Sequence, residues 1–154
     1  MVTIEDYCQI LSKENRTGPA SEKFMAWARA VGMPDHALLC FAACWIAQGI
    51  DGGIGSVGPM FDVTEIMRWT EGDPRYVSEG LLVIGFCPNG DFIALDARSK
   101  KGAVVYVSHD EYLGSDVSPR DCLIQIAKSL PEFVVSANQA TLPMDYWEAI
   151  KREG

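Results

Sequence analysis

The spacing of apolar positions changes along the chain, and each change marks an element. Ile4, Tyr7, Cys8 and Leu11 recur at helical spacing. Thr3 at the N-cap with Asp6 three residues on forms an Asp variant of a capping box, which predicts a helix ending near Asn15, before Thr17-Gly18-Pro19. Ser21 caps the next predicted helix, whose apolar stripe is Phe24, Trp27, Ala28 and Val31 and whose closing glycine is Gly32. Met33-Pro34-Asp35 breaks the chain, with Asp35 as a cap. From about His36 to Gln48 the sequence is apolar nearly all round, which predicts a central, buried helix.

The period then changes. Leu81 to Phe86 is a continuous apolar run between Gly80 and Pro88, the pattern of a strand buried on both faces. Pro88-Asn89-Gly90-Asp91 carries turn chemistry, and Phe92 to Leu95 follows at once, so the two runs read as a hairpin. A polar loop, Arg98 to Gly102, leads to a β-branched and aromatic third strand, Ala103 to Val107. A lone hairpin is barely stable in water, so this meander must be covered by other elements. Before it, Phe61 to Thr70 predicts a pair of strand residues and then a short helix capped by Asp62 or Thr64; Glu71-Gly72-Asp73-Pro74 is a turn. After it, Gly114 to Pro119 reads as a loop, and Ser118 with Pro119 at the first helical position predicts a helix through about Leu130, its packing extended by Phe133, Val134 and Val135. Met144 to Arg152 predicts a last short helix that docks through Tyr146, Trp147 and Ile150. The fold class is therefore α+β, a central antiparallel sheet built on a meander over residues 81–108 and flanked by helices.

Composition narrows the function. With 154 residues, 48% of them hydrophobic, the chain is expected to form one domain, residues 1–154. A domain of that size buries roughly 70% of its unfolded surface. The formal net charge of -8 argues against a nucleic-acid partner, which needs clustered Lys and Arg, and suits a basic protein partner, whose approach an acidic field speeds. The five cysteines (Cys8, Cys40, Cys44, Cys87 and Cys122) are odd in number, and MVTIEDYCQIL has neither a basic region nor a long apolar core. Both points read as reduced thiols in a cytoplasmic protein. The apolar stretch Ala37 to Ile50 is too short to span a bilayer.

Motifs with chemical meaning are few. Gly53-x-Gly55-x-x-Gly58 has the form of a dinucleotide fingerprint, but it follows a predicted helix rather than a strand and runs into Pro59, so it reads as a surface loop. Ser56 lacks the first glycine of a nucleophile elbow, since Ile54 stands there. Cys87 and His109 pair only by count, and free cysteines in apolar runs are mostly core. Cys40 and Cys44 share a helical face, yet no second pair completes a zinc site. Asp96, His109, Asp110 and Glu111 are residue types that could gather round a metal, without a spacing that demands one. The carboxylate pairs Asp91 with Asp96 and Asp110 with Glu111 are equally unspecific for acid–base work.

The order of motifs around the meander adds a further clue. Ile84-Gly85-Phe86, Asn89-Gly90-Asp91, Ala94-Leu95-Asp96, the glycine-led Gly102-Ala103-Val104-Val105-Tyr106 and His109-Asp110-Glu111 follow one another. Gly32-Met33-Pro34, Phe41 and Gly52-Gly53 precede them, and Ile126 to Leu130 with Phe133 follow. In this order the chain, from about Val31 to Val135, resembles the SUKH superfamily of Smi/Knr-like domains. On that pattern the helix within residues 1–18 is an addition, and residues 140–154 hold a C-terminal helix. The resemblance implies a binding module without enzymatic activity or cofactor. Many bacterial members are immunity proteins that occlude a toxin in the cytoplasm, and fungal relatives are regulatory scaffolds. It places partner contacts on the polar edges of the meander, at Asp91, Asp96, Arg98, His109, Asp110 and Glu111, with Trp69 as an aromatic anchor. Core packing is the competing reading for Trp69, and solvated surface for the acidic residues. A scaffold without a toxin partner, or a metal- or nucleotide-dependent enzyme, remain the alternatives.

Overall fold

A computed structural model describes residues 2–47, 53–55, 57, 59–111 and 116–153. Ser56 and Gly58 of the glycine-rich stretch, Gln48 to Gly52, and Gly114-Ser115 of the expected loop lie outside the described residues. The first helix, α1 (Ile4–Glu14), begins at the expected capping box: Asp6 N–H donates to Thr3 Oγ1, and Thr3 N–H to the Asp6 carboxylate. It is integral to the core, since Tyr7 and Leu11 are fully buried and the Tyr7 hydroxyl donates to Cys44 O at 2.8 Å. Strand β1 (Thr17–Gly18) follows, then α2 (Glu22–Ala30), capped by Ser21 as its sequence predicts.

The predicted helix from His36 to Gln48 is shorter. Helix α3 (Asp35–Ala43) has Pro34 at its N-cap, with Asp35 as the first helical residue. At Cys44 the backbone turns extended (φ -167°, ψ 129°), and Trp45–Ile46 form β2, antiparallel to β1. An unbroken apolar run does not show where helix gives way to strand. Here tertiary partners decide: Tyr7 takes the Cys44 carbonyl, and Trp45 Nε1 donates to Phe61 O at 2.7 Å. Helix α4 (Val63–Glu71) is capped by Asp62, and α5 (Pro74–Ser78) begins within the expected turn.

The meander forms as predicted. Strands β3 (Leu81–Phe86), β4 (Phe92–Asp96) and β5 (Ala103–Val107) pair antiparallel in sequence order. A fourth strand, β6 (Leu123–Ala127), pairs with β5 and corrects the helix expected there. Pro119 opens only a single 3-10 turn, Pro119–Cys122. Helix α6 (Leu130–Asn138) starts later, where the Ser129 hydroxyl accepts from Glu132 N–H and the Glu132 carboxylate from Lys128 N–H. Helix α7 (Tyr146–Glu153) closes the described chain.

Cross-strand pairing sorts the sheet's faces. Phe86, Phe92 and Val107 stand together on one face, where α4 and α5 bring Trp69 and Tyr76 against Phe92. Gly85, Ile93 and Tyr106 lie on the other. Toward that face α3 approaches Gly102 and Leu95, backed by α1 and α6. Strand β3 is an edge, but a bulge at Gly85 lets residues 59–61 run close along it: a Cβ at Gly85 would lie 2.8 Å from Pro59 O. Phe61 N–H donates to Ile84 O, Phe86 N–H to Pro59 O, and Val83 N–H to the buried Thr70 hydroxyl. No helix of the described residues is long and apolar enough to cross a membrane.

Candidate functional site

The pairing of Phe92 with Val107 brings the start of β4 beside the end of β5, so the Asn-Gly-Asp turn meets His109-Asp110-Glu111. Gly90 makes the turn with φ 97°, a conformation that suits glycine. The Asp91 side chain then points inward and is fully buried. Its Oδ1 accepts from His109 N–H (3.0 Å) and lies 2.5 Å from His109 Nδ1; its Oδ2 accepts from Asn89 Nδ2 (2.9 Å) and from Tyr146 N–H (2.9 Å). Burial disfavours the charge, but the His109, Asn89 and Tyr146 donors together outweigh it and hold the carboxyl below its ordinary value of 3.8. An ionised carboxylate only accepts, so His109 Nδ1 carries a proton.

Asp91 therefore does not offer its carboxylate to a partner, as the sequence reading had it doing. It positions the groups that do reach the surface. His109 Nε2 lies 3.2 Å from Asp110 Oδ1, and Trp147 Nε1 donates to Asp110 Oδ2 at 3.2 Å. The Tyr146 hydroxyl donates to Glu111 Oε2 at 3.3 Å, and the Tyr146 ring meets the Trp147 ring edge-on. His109, Asp110 and Glu111 are exposed, and so is Trp147, at 42%. The expected docking of α7 holds for Tyr146, with Ala149 beside it; Trp147 and Ile150 face outward instead.

Asp96 and Arg98 occupy the opposite end of the sheet, where Leu81, Asp96 and Ala103 pair. Arg120 reaches back from the 3-10 turn and grips Asp96 with two nitrogens, at 2.7 and 3.1 Å, and its Nε also donates to Glu79 O at 2.9 Å. Arg98 N–H donates to Asp96 Oδ1, and the Arg98 guanidinium pairs with Glu79. The Asp96 side chain is only 15% exposed. Its hydrogen bonds close a loop rather than face a partner.

Trp69 lies apart from both groups. Its ring stacks on Phe61 and meets Phe86 and Phe92 edge-on, yet 38% of the residue is exposed. It lines an open cleft of about 410 Å³ together with Arg68, Gly72, Asp73, Tyr76 and Phe92. Trp69 is thus packed into an aromatic cluster, as the core reading has it, with one part of the residue open to solvent.

Among the described residues no three His, Cys, Asp or Glu side chains are placed to hold a metal ion, and the length of β4 separates Asp96 from His109. Cys87 is buried, and burial followed by the charge of Asp91 pushes its thiol far up. Burial likewise raises Cys40 to about 12 and Cys122 to about 11, so these sulfurs stay protonated and unreactive near neutrality.

Sequence reasoning did not single out Arg120, and it named Tyr146 and Trp147 only as docking residues of the last helix, not as partners of Glu111 and Asp110. Arg120 follows a Ser-Pro pair and looked like a first-turn helix residue. The α7 residues carried a usable signal: Tyr146 and Ala149 lie three apart on one stripe, which leaves Trp147 and Ile150 on its flank. Comparison with known protein families, curated proteins and solved structures finds no match to this chain.

Proposed function

We propose that this chain is a non-catalytic protein-binding domain, and that its leading partner class is a toxin domain of basic character that it neutralises by direct binding. The observation that supports this most is the acidic end of the sheet. There the buried Asp91 spends its lone pairs on structure, while Asp110 and Glu111 stay exposed and are held in place by Trp147 and Tyr146. Charged groups fixed at a surface steer a partner of opposite sign and set its register. The net charge of -8 extends that field over the whole molecule. Beneath the surface, Asp91 is fully hydrogen-bonded and the Cys40, Cys87 and Cys122 thiols are held protonated. The resemblance of the meander to Smi/Knr-like domains points the same way.

Co-expression tests the proposal. The product of the neighbouring reading frame is expressed in a sensitive host with and without this chain. Growth restored only by this chain, with a one-to-one complex on purification, is the expected result. A toxic neighbour that is not rescued would sink the pairing. Stable complexes with a non-toxic protein would favour a regulatory scaffold instead.

A further inference from the structure

We infer that the outward flank of α7 and the Asp110–Glu111 corner form one docking surface for a basic protein segment, with an arginine laid on Trp147 and an apolar side chain against the neighbouring Ile150. This deepens the binding reading above and rests on it. Met144 is 59% exposed, Trp147 42% and Ile150 38%. Trp147 and Ile150 are three apart and therefore neighbours on the helix surface. Scattered apolar residues on a surface need no explanation, but this group abuts carboxylates and contains a fixed indole.

The fixing sets Trp147 apart. An exposed tryptophan ordinarily pays rotamer entropy on binding. Here the indole N–H is held by Asp110, and the edge of the ring by Tyr146, whose own hydroxyl is on Glu111 and whose backbone N–H is on buried Asp91. The indole is thus set in place before a partner arrives, which lowers the cost of association. Charge selects the partner. Asp110 and Glu111 keep unused acceptor positions beside the ring, and Glu148 on the same helix is already paired with Arg152. A guanidinium stacked on the indole gains a cation–π contact and reaches a carboxylate with its fork. Arg152 is taken up by Glu148, and the His109 ring lies between Asp91 and Asp110, so Asp110 and Glu111 set the sign of the corner.

The test uses the full chain and a short synthetic peptide in which arginines flank a leucine. Two control peptides replace the arginines by glutamate or the leucine by serine. Binding is followed by the indole N–H resonance of Trp147, assigned with W147F, and by the amides of residues 109–111. The expected result is a saturable shift confined to these groups. W147A and the D110N/E111Q pair should each weaken binding about tenfold, the loss typical of a central contact. The serine peptide should bind more weakly and the glutamate peptide not at all. Shifts spread over the surface, or affinity unchanged in both variants, would overturn the inference, as would shifts centred on Trp69. The two proposals fail separately. Toxin rescue that survives W147A with D110N/E111Q keeps the toxin and removes the surface. Peptide binding without rescue keeps the surface and removes the toxin. Thermal melts of each variant confirm that it remains folded.

Discussion

Asp91 and Asp96 stand at opposite ends of one stretch of sheet, and the chain treats them differently. Asp91 is fully buried and accepts backbone N–H groups from His109 and Tyr146 as well as side-chain donors. Asp96 is slightly exposed and is gripped by the long side chain of Arg120. Backbone donors inside a protein have nowhere else to go, so an aspartate that serves them welds separate segments together. A flexible arginine can find water if its partner is lost. The contrast teaches that neither proximity nor charge alone makes a carboxylate functional: Asp91 builds the surface on which Asp110 and Glu111 stand, and Asp96 fastens a loop.

This contrast can be broken at its strong end first. Asp91→Ala leaves the buried Tyr146 amide and the part-buried His109 amide without their acceptor, and should cost about 3 kcal/mol in denaturant unfolding. It should also release α7, seen as a loss of near-ultraviolet dichroism from Tyr146 and Trp147. A change under about 1 kcal/mol would show that the donors relax to water and that the weld is an illusion.

Acid probes the same group without a cavity. The folded-state pKa of Asp91 lies below 3.8, so its charge contributes stability that is present above that value and is lost as pH falls through the depressed one. The stability gap between the natural chain and Asp91→Asn should therefore be full at neutral pH and shrink below pH 3.8. A gap constant down to acid would refute the ionised assignment.

The other end should respond less. Arg120→Met strands Asp96 and should cost about 1–2 kcal/mol, whereas the double change Asp96→Leu with Arg120→Met should return to within about 1 kcal/mol of the natural chain. A double variant as weak as Asp91→Ala would erase the distinction between the two ends. The smallest effect is expected at Glu79→Gln, which removes the pairing with exposed Arg98 and a longer 3.6 Å pairing with Arg120, both at a partly exposed carboxylate. It should change stability by less than about 0.5 kcal/mol, and salt should abolish the difference.

Local rules made much of the fold legible. Thr3 with Asp6, Ser21 and Asp62 act as caps where their spacing said so, and the Asn-Gly turn between two apolar runs gave the hairpin. The failures are where tertiary contacts override a short pattern. Leu123 to Ala127 reads equally as helix or strand, and the free side of β5 decided it; the Ser129-x-x-Glu132 cap was the visible sign that the helix starts later. The site was legible in part. His109, Asp110 and Glu111 come together because they are adjacent in sequence. The burial of Asp91 was not legible, because a turn aspartate normally faces water and the Tyr146 amide that claims it lies 55 residues away. Asp96 was grouped with Asp91 by proximity in sequence, although a strand running between them carries them apart.

The edge of the sheet has a consequence for how this molecule can be recognised. Outward main-chain groups of Val83, Ile84 and Phe86 on β3 are already engaged, by a threonine hydroxyl and by the segment that precedes α4. A strand offered by another chain finds those positions taken, so it cannot extend the sheet there without first displacing residues 59–61. Recognition at this flank is thereby confined to side chains, which vary freely under selection, while the pleated backbone beneath is withheld from opportunistic pairing.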